Sequence, residues 1–138
     1  MAHEVLRVAS VGRTVEGMTR RERRAYDAAV HPLRGEGCRA GGKRLMASAG
    51  DEYPLCQRAL YAAWRMTTAY RADGSIVIVA LARHSENEEP AATLAEIFPG
   101  LSARGRRRSE QPTCCENPTA PPTMSAELER ILFDVFDV

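Results

Sequence analysis

The sequence has no apolar run approaching the roughly 18 residues of a membrane-spanning helix. Its opening, MAHEVLRVASVG, also lacks the basic-then-apolar order of a secretory signal. No membrane partner and a cytoplasmic location are therefore expected. Familiar metal-ligand spacing is missing as well: the four cysteines are Cys38, Cys56 and the adjacent pair Cys114 and Cys115, with no C-x-x-C. Adjacent cysteines rarely chelate one metal together, so neither a metal site nor a cofactor is read here, and reduced thiols are the expectation for a cytoplasmic chain. Net charge is almost absent, at +1 over 138 residues, while 44% hydrophobic and 27% charged residues are ordinary for a soluble globular protein. That length supports one domain with one sizeable core and is too short for two.

The small net charge hides an uneven distribution. Residues 19–44 hold Arg20, Arg21, Arg23, Arg24, Arg34, Arg39, Lys43 and Arg44 against Glu22, Asp27 and Glu36. The last fourteen residues reverse the balance, with Glu127, Glu129, Asp134 and Asp137 against Arg130. A basic body with an acidic tail invites either a polyanionic partner or the tail itself onto the basic face.

Along the chain, residues 4–11 (EVLRVASV) alternate well enough to suggest a first strand. Thr19 and Glu22 then form a capping-box pattern, and Tyr26, Ala29, Val30 and Leu33 recur at helical spacing behind it. Pro32 limits how far that helix can run. A glycine-rich, turn-filled stretch follows, with KRLMA as a short strand. Residues 55–64 and 65–72 read as strand segments bent near Ala62 and Ala63, although alanine and leucine make a helix over 55–64 a competitor. Asp73-Gly74 is the strongest hairpin signal, and the nearly continuous apolar run SIVIVALAR after it predicts a central strand buried on both faces. A short helix is expected over 90–101 and a Pro/Arg-rich linker over 102–123, whose RGRRR could serve as a phosphate-binding arm. An amphipathic helix over 124–138, capped by Ser125, carries the stripe Leu128, Ile131, Leu132, Val135 and Phe136. Such a stripe needs cover, from the domain (residues 1–101), from a second copy in a homodimer, or from a partner.

The hairpin opens with Arg65 and closes with Arg83 and His84, followed by Glu86, Glu88 and Glu89. Positions equidistant from the turn face each other, which sets Arg65 roughly opposite residue 82 and near His84. A guanidinium held beside an imidazole suits phosphodiester chemistry: arginine stabilises charge on a pentacoordinate phosphorus, and histidine transfers a proton near neutrality. Strand-end arginines and histidines also serve simply as solvated termini, and the spacing leaves both roles open. The arginines of the first helix likewise suit either phosphate contact or a solvated face.

The order strand, basic helix, turn-rich strand and WRMTTAYRADGSIVIVALARH resembles the RelE/ParE superfamily of bacterial toxins, particularly its RelE- and YoeB-like ribonucleases. Arg65, Tyr70, Asp73-Gly74, the run 76–82 and Arg83-His84 occupy the places of the family's strand-opening arginine, tyrosine segment, hairpin, apolar strand and terminal residues. The resemblance covers about residues 4–86, shows one helix clearly before Cys38, and leaves 90–138 beyond the family's normal end. It implies an α+β fold, a small antiparallel sheet with an N-terminal helix and here a C-terminal helical extension. It further implies a toxin that cleaves mRNA on the ribosome without metal and is held by an antitoxin partner. Arg65 and Arg83 would then stabilise the transition state, His84 act as acid, and Glu52 or Glu86 as base. Arg20, Arg23, Arg24, Lys43 and Arg44 would bind RNA. The alternative is a non-catalytic module of the same fold, either a ParE-like inhibitor or a nucleic-acid-binding regulator.

Overall fold

The structure, a computed structural model, describes residues 3–46, 52–61, 64–83, 123–127 and 129–130. Strand β1 (Val5–Arg7) leads into two helices, α1 (Ala9–Glu16) and α2 (Arg20–Glu36), and a 3-10 turn at Gly37–Ala40. Four strands follow: β2 (Lys43–Met46), β3 (Glu52–Ala59), β4 (Trp64–Tyr70) and β5 (Ile76–Arg83). They form one five-stranded sheet in the order β1-β5-β4-β3-β2. The last four strands run as an antiparallel meander, and β1 joins β5 in parallel. The two helices thus carry the chain from one edge of the sheet to the other. The class is α+β, with a mixed rather than purely antiparallel sheet.

The first expectation to need correction is the strand over 4–11, of which only Val5–Arg7 pairs. The residues from Ala9 onward turn into α1 because Val8, Val11, Val15 and Met18 recur at helical spacing, and all four are buried. Two helices therefore precede Cys38, not one. The second begins as its sequence requires. The Thr19 hydroxyl accepts from Glu22 N at 3.2 Å, while Glu22 Oε1 accepts from Thr19 N at 2.9 Å.

Pro32 does not end α2, although its missing N–H removes one helical bond. Leu33, with no exposed surface, holds the last turn against the core, a burial worth roughly 1.5–3 kcal/mol. The Arg34 carbonyl also accepts from His3 N at 2.6 Å. The helix stops at Gly37, whose φ of 61° favours glycine and whose missing Cβ leaves room for the His3 ring.

The hairpin of β4 and β5 is present, and β5 is buried from Ile76 to Ala82, as its apolar run requires. Its turn differs in detail from a two-residue primed turn. Arg71 N donates to Ser75 O, Gly74 N donates to Arg71 O, and Gly74 has φ 89°, which makes a three-residue loop closed by a left-handed glycine. Asp73 Oδ1 braces it by accepting from Ser75 N and Ser75 Oγ. The helix that competed for 55–64 does not form, because Leu55 and Cys56 are neighbours on opposite faces of β3 and both are fully buried.

Near the C-terminus, Met124 is buried and its N–H donates to the Tyr70 carbonyl at 2.9 Å, and Thr123 bridges Tyr70 in parallel. Residues 126, 127, 129 and 130 are helical, with Glu129 N bonded to Ser125 O. Glu129 forms an ion pair with Arg71. The expected helix over 90–101, the linker except Thr123, and the stripe Leu128, Ile131, Leu132, Val135 and Phe136 lie outside the described residues.

Candidate functional site

Two regions concentrate the polar side chains, and the first is built on Glu22. The capping box fixes this carboxylate at the start of α2, where it points to the sheet and is almost fully buried. Its Oε2 accepts from Trp64 Nε1 at 2.5 Å and from Arg83 Nη2 at 3.0 Å. The Arg83 guanidinium lies over the Trp64 ring, 5.3 Å from its centroid. Trp64 and Arg83 are direct cross-strand partners, so both reach the same face of the sheet. The Thr19 N–H, then Arg83, then Trp64 pull the Glu22 carboxyl from 4.5 down to about 2, against the opposing effect of burial. Arg83 is thereby committed to an internal ion pair.

Arg65 pairs with Ala82, as the hairpin count requires, and alternation turns it away from the face that meets Glu22. Arg65 and Arg83 therefore stand on opposite faces. Arg65 is half-buried, and its Nη1 donates to the Trp64 carbonyl at 3.2 Å. Lys43 pairs with Gln57, which pairs with Thr67, in a row on the face that Arg65 shares. Arg44 alternates to the other face opposite Cys56. Glu52 opens β3 opposite Met46, with its carboxylate outside the described residues, as are His84 and Glu86 entirely.

The arginines of α2 divide by role. Arg23 Nη2 donates to the carbonyls of Val15 and Glu16, where a cation suits the C-terminal end of α1. Arg21 stacks on Tyr61 and donates to its hydroxyl at 3.2 Å. Arg20 and Arg24 are exposed, and among the described residues neither has a polar partner. They begin a solvent-facing stripe at spacings of three and four that continues through Asp27, His31 and Arg34.

That stripe ends at the second region, a cleft of about 430 Å³ between α2 and β1. Arg7, Tyr26, Asp27, His31 and Arg34 line it, over an apolar floor that includes Val30 and Ile78. The sequence reading missed this grouping. Within α2 the signal was the 3,4 spacing of His31 and Arg34, but Arg7 arrives only through the pairing of β1 with β5.

The thiol expectation is also corrected. Cys38, in the 3-10 turn, and Cys56, in β3, are both buried and both disulfide-bonded. Each is bonded to a partner outside the described residues, and no spacing along the chain reveals such bonding. Among the described residues no group of three His, Cys, Asp or Glu side chains could hold a metal ion, and no helix is long and apolar enough to cross a membrane. No protein-family model, curated protein or solved structure matches the chain.

Proposed function

We propose that the chain is a RelE/ParE-type module of a toxin-antitoxin system, acting on mRNA as a metal-independent endoribonuclease with the ribosome as its setting. The observation that carries this reading is the element order: a strand, two helices, then an antiparallel meander whose last hairpin sets Arg65 opposite Ala82, two positions before His84. The geometry supports Arg65 over Arg83 as the group that stabilises the phosphorane, since Arg83 is held by Glu22. His84 remains the acid of this proposal. Arg20 and Arg24 supply exposed cations for phosphate contact, and Lys43 lies on the sheet face of Arg65.

The test is cleavage of mRNA by the purified chain with ribosomes. Arg65→Gln should slow it by about 10²–10³-fold, the usual loss for one charge-stabilising donor. His84→Gln should slow it by about 10²–10⁴-fold, the usual worth of an acid-base group. Wild-type cleavage that persists in both variants would overturn the assignment.

A second reading, a non-catalytic binding module of the same fold, is favoured by two observations. Arg83 is already neutralised. The disulfide-bonded Cys38 and Cys56 are unusual for a cytoplasmic chain. Under this reading the wild type leaves mRNA intact while still binding a partner protein or nucleic acid.

A further inference from the structure

We propose that the cleft between α2 and β1 binds a small phosphomonoester, with the phosphate held by Arg7, His31 and Arg34 and the apolar body of the ligand laid over Val30 and Ile78. The proposal stands apart from the ribonuclease reading, whose Arg65 lies on the opposite face of the sheet and whose Arg20 and Arg24 lie toward the other end of α2.

Four observations converge on it. Arg7 and Arg34 reach the cleft from different elements, so two guanidinium forks can meet one anion, the arrangement that suits phosphate best. Among the described residues neither arginine, nor His31, has a hydrogen-bond or ion-pair partner through its side chain. Elsewhere in the fold the arginines that reach inward are matched: Arg83 to Glu22, Arg23 to the end of α1, Arg58 to the Ala40 carbonyl.

The second observation is Tyr26. The residue is only 5% exposed, yet its hydroxyl has no hydrogen-bond partner among the described residues. No buried side-chain polar atom there is left unsatisfied, so this hydroxyl keeps its access to solvent, and Tyr26 is one of the residues that line the cleft. A buried ring with a free hydroxyl at a cationic cleft is a ready donor to a phosphate oxygen.

Size and floor give the rest of the ligand. A volume of about 430 Å³ falls among small-molecule sites and far exceeds a bare phosphate. The apolar floor rewards a flat organic body, and Asp27 on the wall accepts a hydroxyl or amine but opposes a second anion. Finally, β1 ends the sheet. Glu4 and Val8 bond toward β5, so the alternate backbone N–H of Arg7 faces outward, a further donor on the same wall. A nucleoside monophosphate combines these requirements: one phosphate, one flat base and ribose hydroxyls.

The experiment is calorimetric titration of the full chain with AMP, adenosine and inorganic phosphate, followed by amide chemical-shift mapping. AMP should bind with 1:1 stoichiometry, and adenosine and inorganic phosphate each at least about tenfold more weakly, since each lacks one half of the recognition. The Arg7→Gln/Arg34→Gln double variant should lose at least about tenfold in AMP affinity, as two charge-assisted bonds are removed. Tyr26→Phe should lose a smaller amount while leaving adenosine binding unchanged. Shifts should fall on residues 5–7 and 26–34, a readout that holds even if a variant folds poorly. AMP binding no tighter than adenosine, a folded double variant with wild-type affinity, or shifts confined to other residues would each overturn the proposal.

Discussion

At its N-terminal end α2 hands Glu22 to Trp64 and Arg83, and the three side chains satisfy one another. At its other end the same helix presents His31 and Arg34, joined by Arg7 from β1, and among the described residues their side chains meet no counterpart. Both regions are rich in arginine and both sit where helix meets sheet. The difference is the carboxylate. Where one is buried within reach, the arginine becomes part of the framework, and its charge is spent inside the molecule. Where the cleft's one lining carboxylate among the described residues is the exposed Asp27, the positive potential remains available to a ligand. Residue type is the same in both places, and role follows from neighbours.

The sharpest way to break this contrast is Trp64→Ala. It empties a buried site and removes one donor from Glu22, and should destabilise by about 3–5 kcal/mol in a denaturant melt, the range for large-to-small aromatic changes. Loss well below that range would mean that the knot is not framework.

Acid titration tests the same region through its charge. The Glu22 carboxyl is held at about 2 against 4.5 when free, so its contribution is complete above 4.5 and is lost as the pH falls from there toward 2. Glu22→Gln should flatten that limb of the stability curve. A variant whose acid unfolding retraces the wild type would remove Glu22 from the account. Thr19→Ala should cost about 1 kcal/mol through loss of the cap, read as a shift in the denaturant midpoint at unchanged slope.

At the unpartnered end the expected effect is smallest. Arg7→Gln or Arg34→Gln should change stability by no more than about 0.5 kcal/mol, as for surface positions outside any network. A loss of the size expected for Trp64→Ala would show that these arginines are structural after all, and the contrast between the two ends of α2 would collapse.

Elements with a local signature were legible in the sequence. The capping box announced α2, the Asp73-Gly74 pair announced the hairpin, and an uninterrupted apolar run announced a strand covered on both sides. Even the facing of Arg65 and residue 82 followed from counting back from the turn. Helix α1 was overlooked because alternation over residues 4–8 masked a helical spacing that begins at Val8. The partners of the site residues were hidden for a different reason. Glu22 reaches Arg83, and Arg7 comes to line one cleft with Arg34, only once β1 lies beside β5 and α2 packs on the sheet. No local pattern encodes such meetings. Arg65 and Arg83, expected together at one transition state, part to opposite faces because they stand one step out of register across the hairpin.

The parallel pairing of β1 with β5 also sets an order of events. Val5 and Ile76 are neighbours in the sheet though about 70 residues apart in the chain, and contacts of that span form slowly because a long loop must close first. Until Ile76–Arg83 is in place, Val5–Arg7 has no strand to join. The meander can zip up from the Asp73 turn by itself, each strand laid against the one before it. The pairing of β1 with β5 is the long-range step that brings Arg7 to the cleft shared with α2.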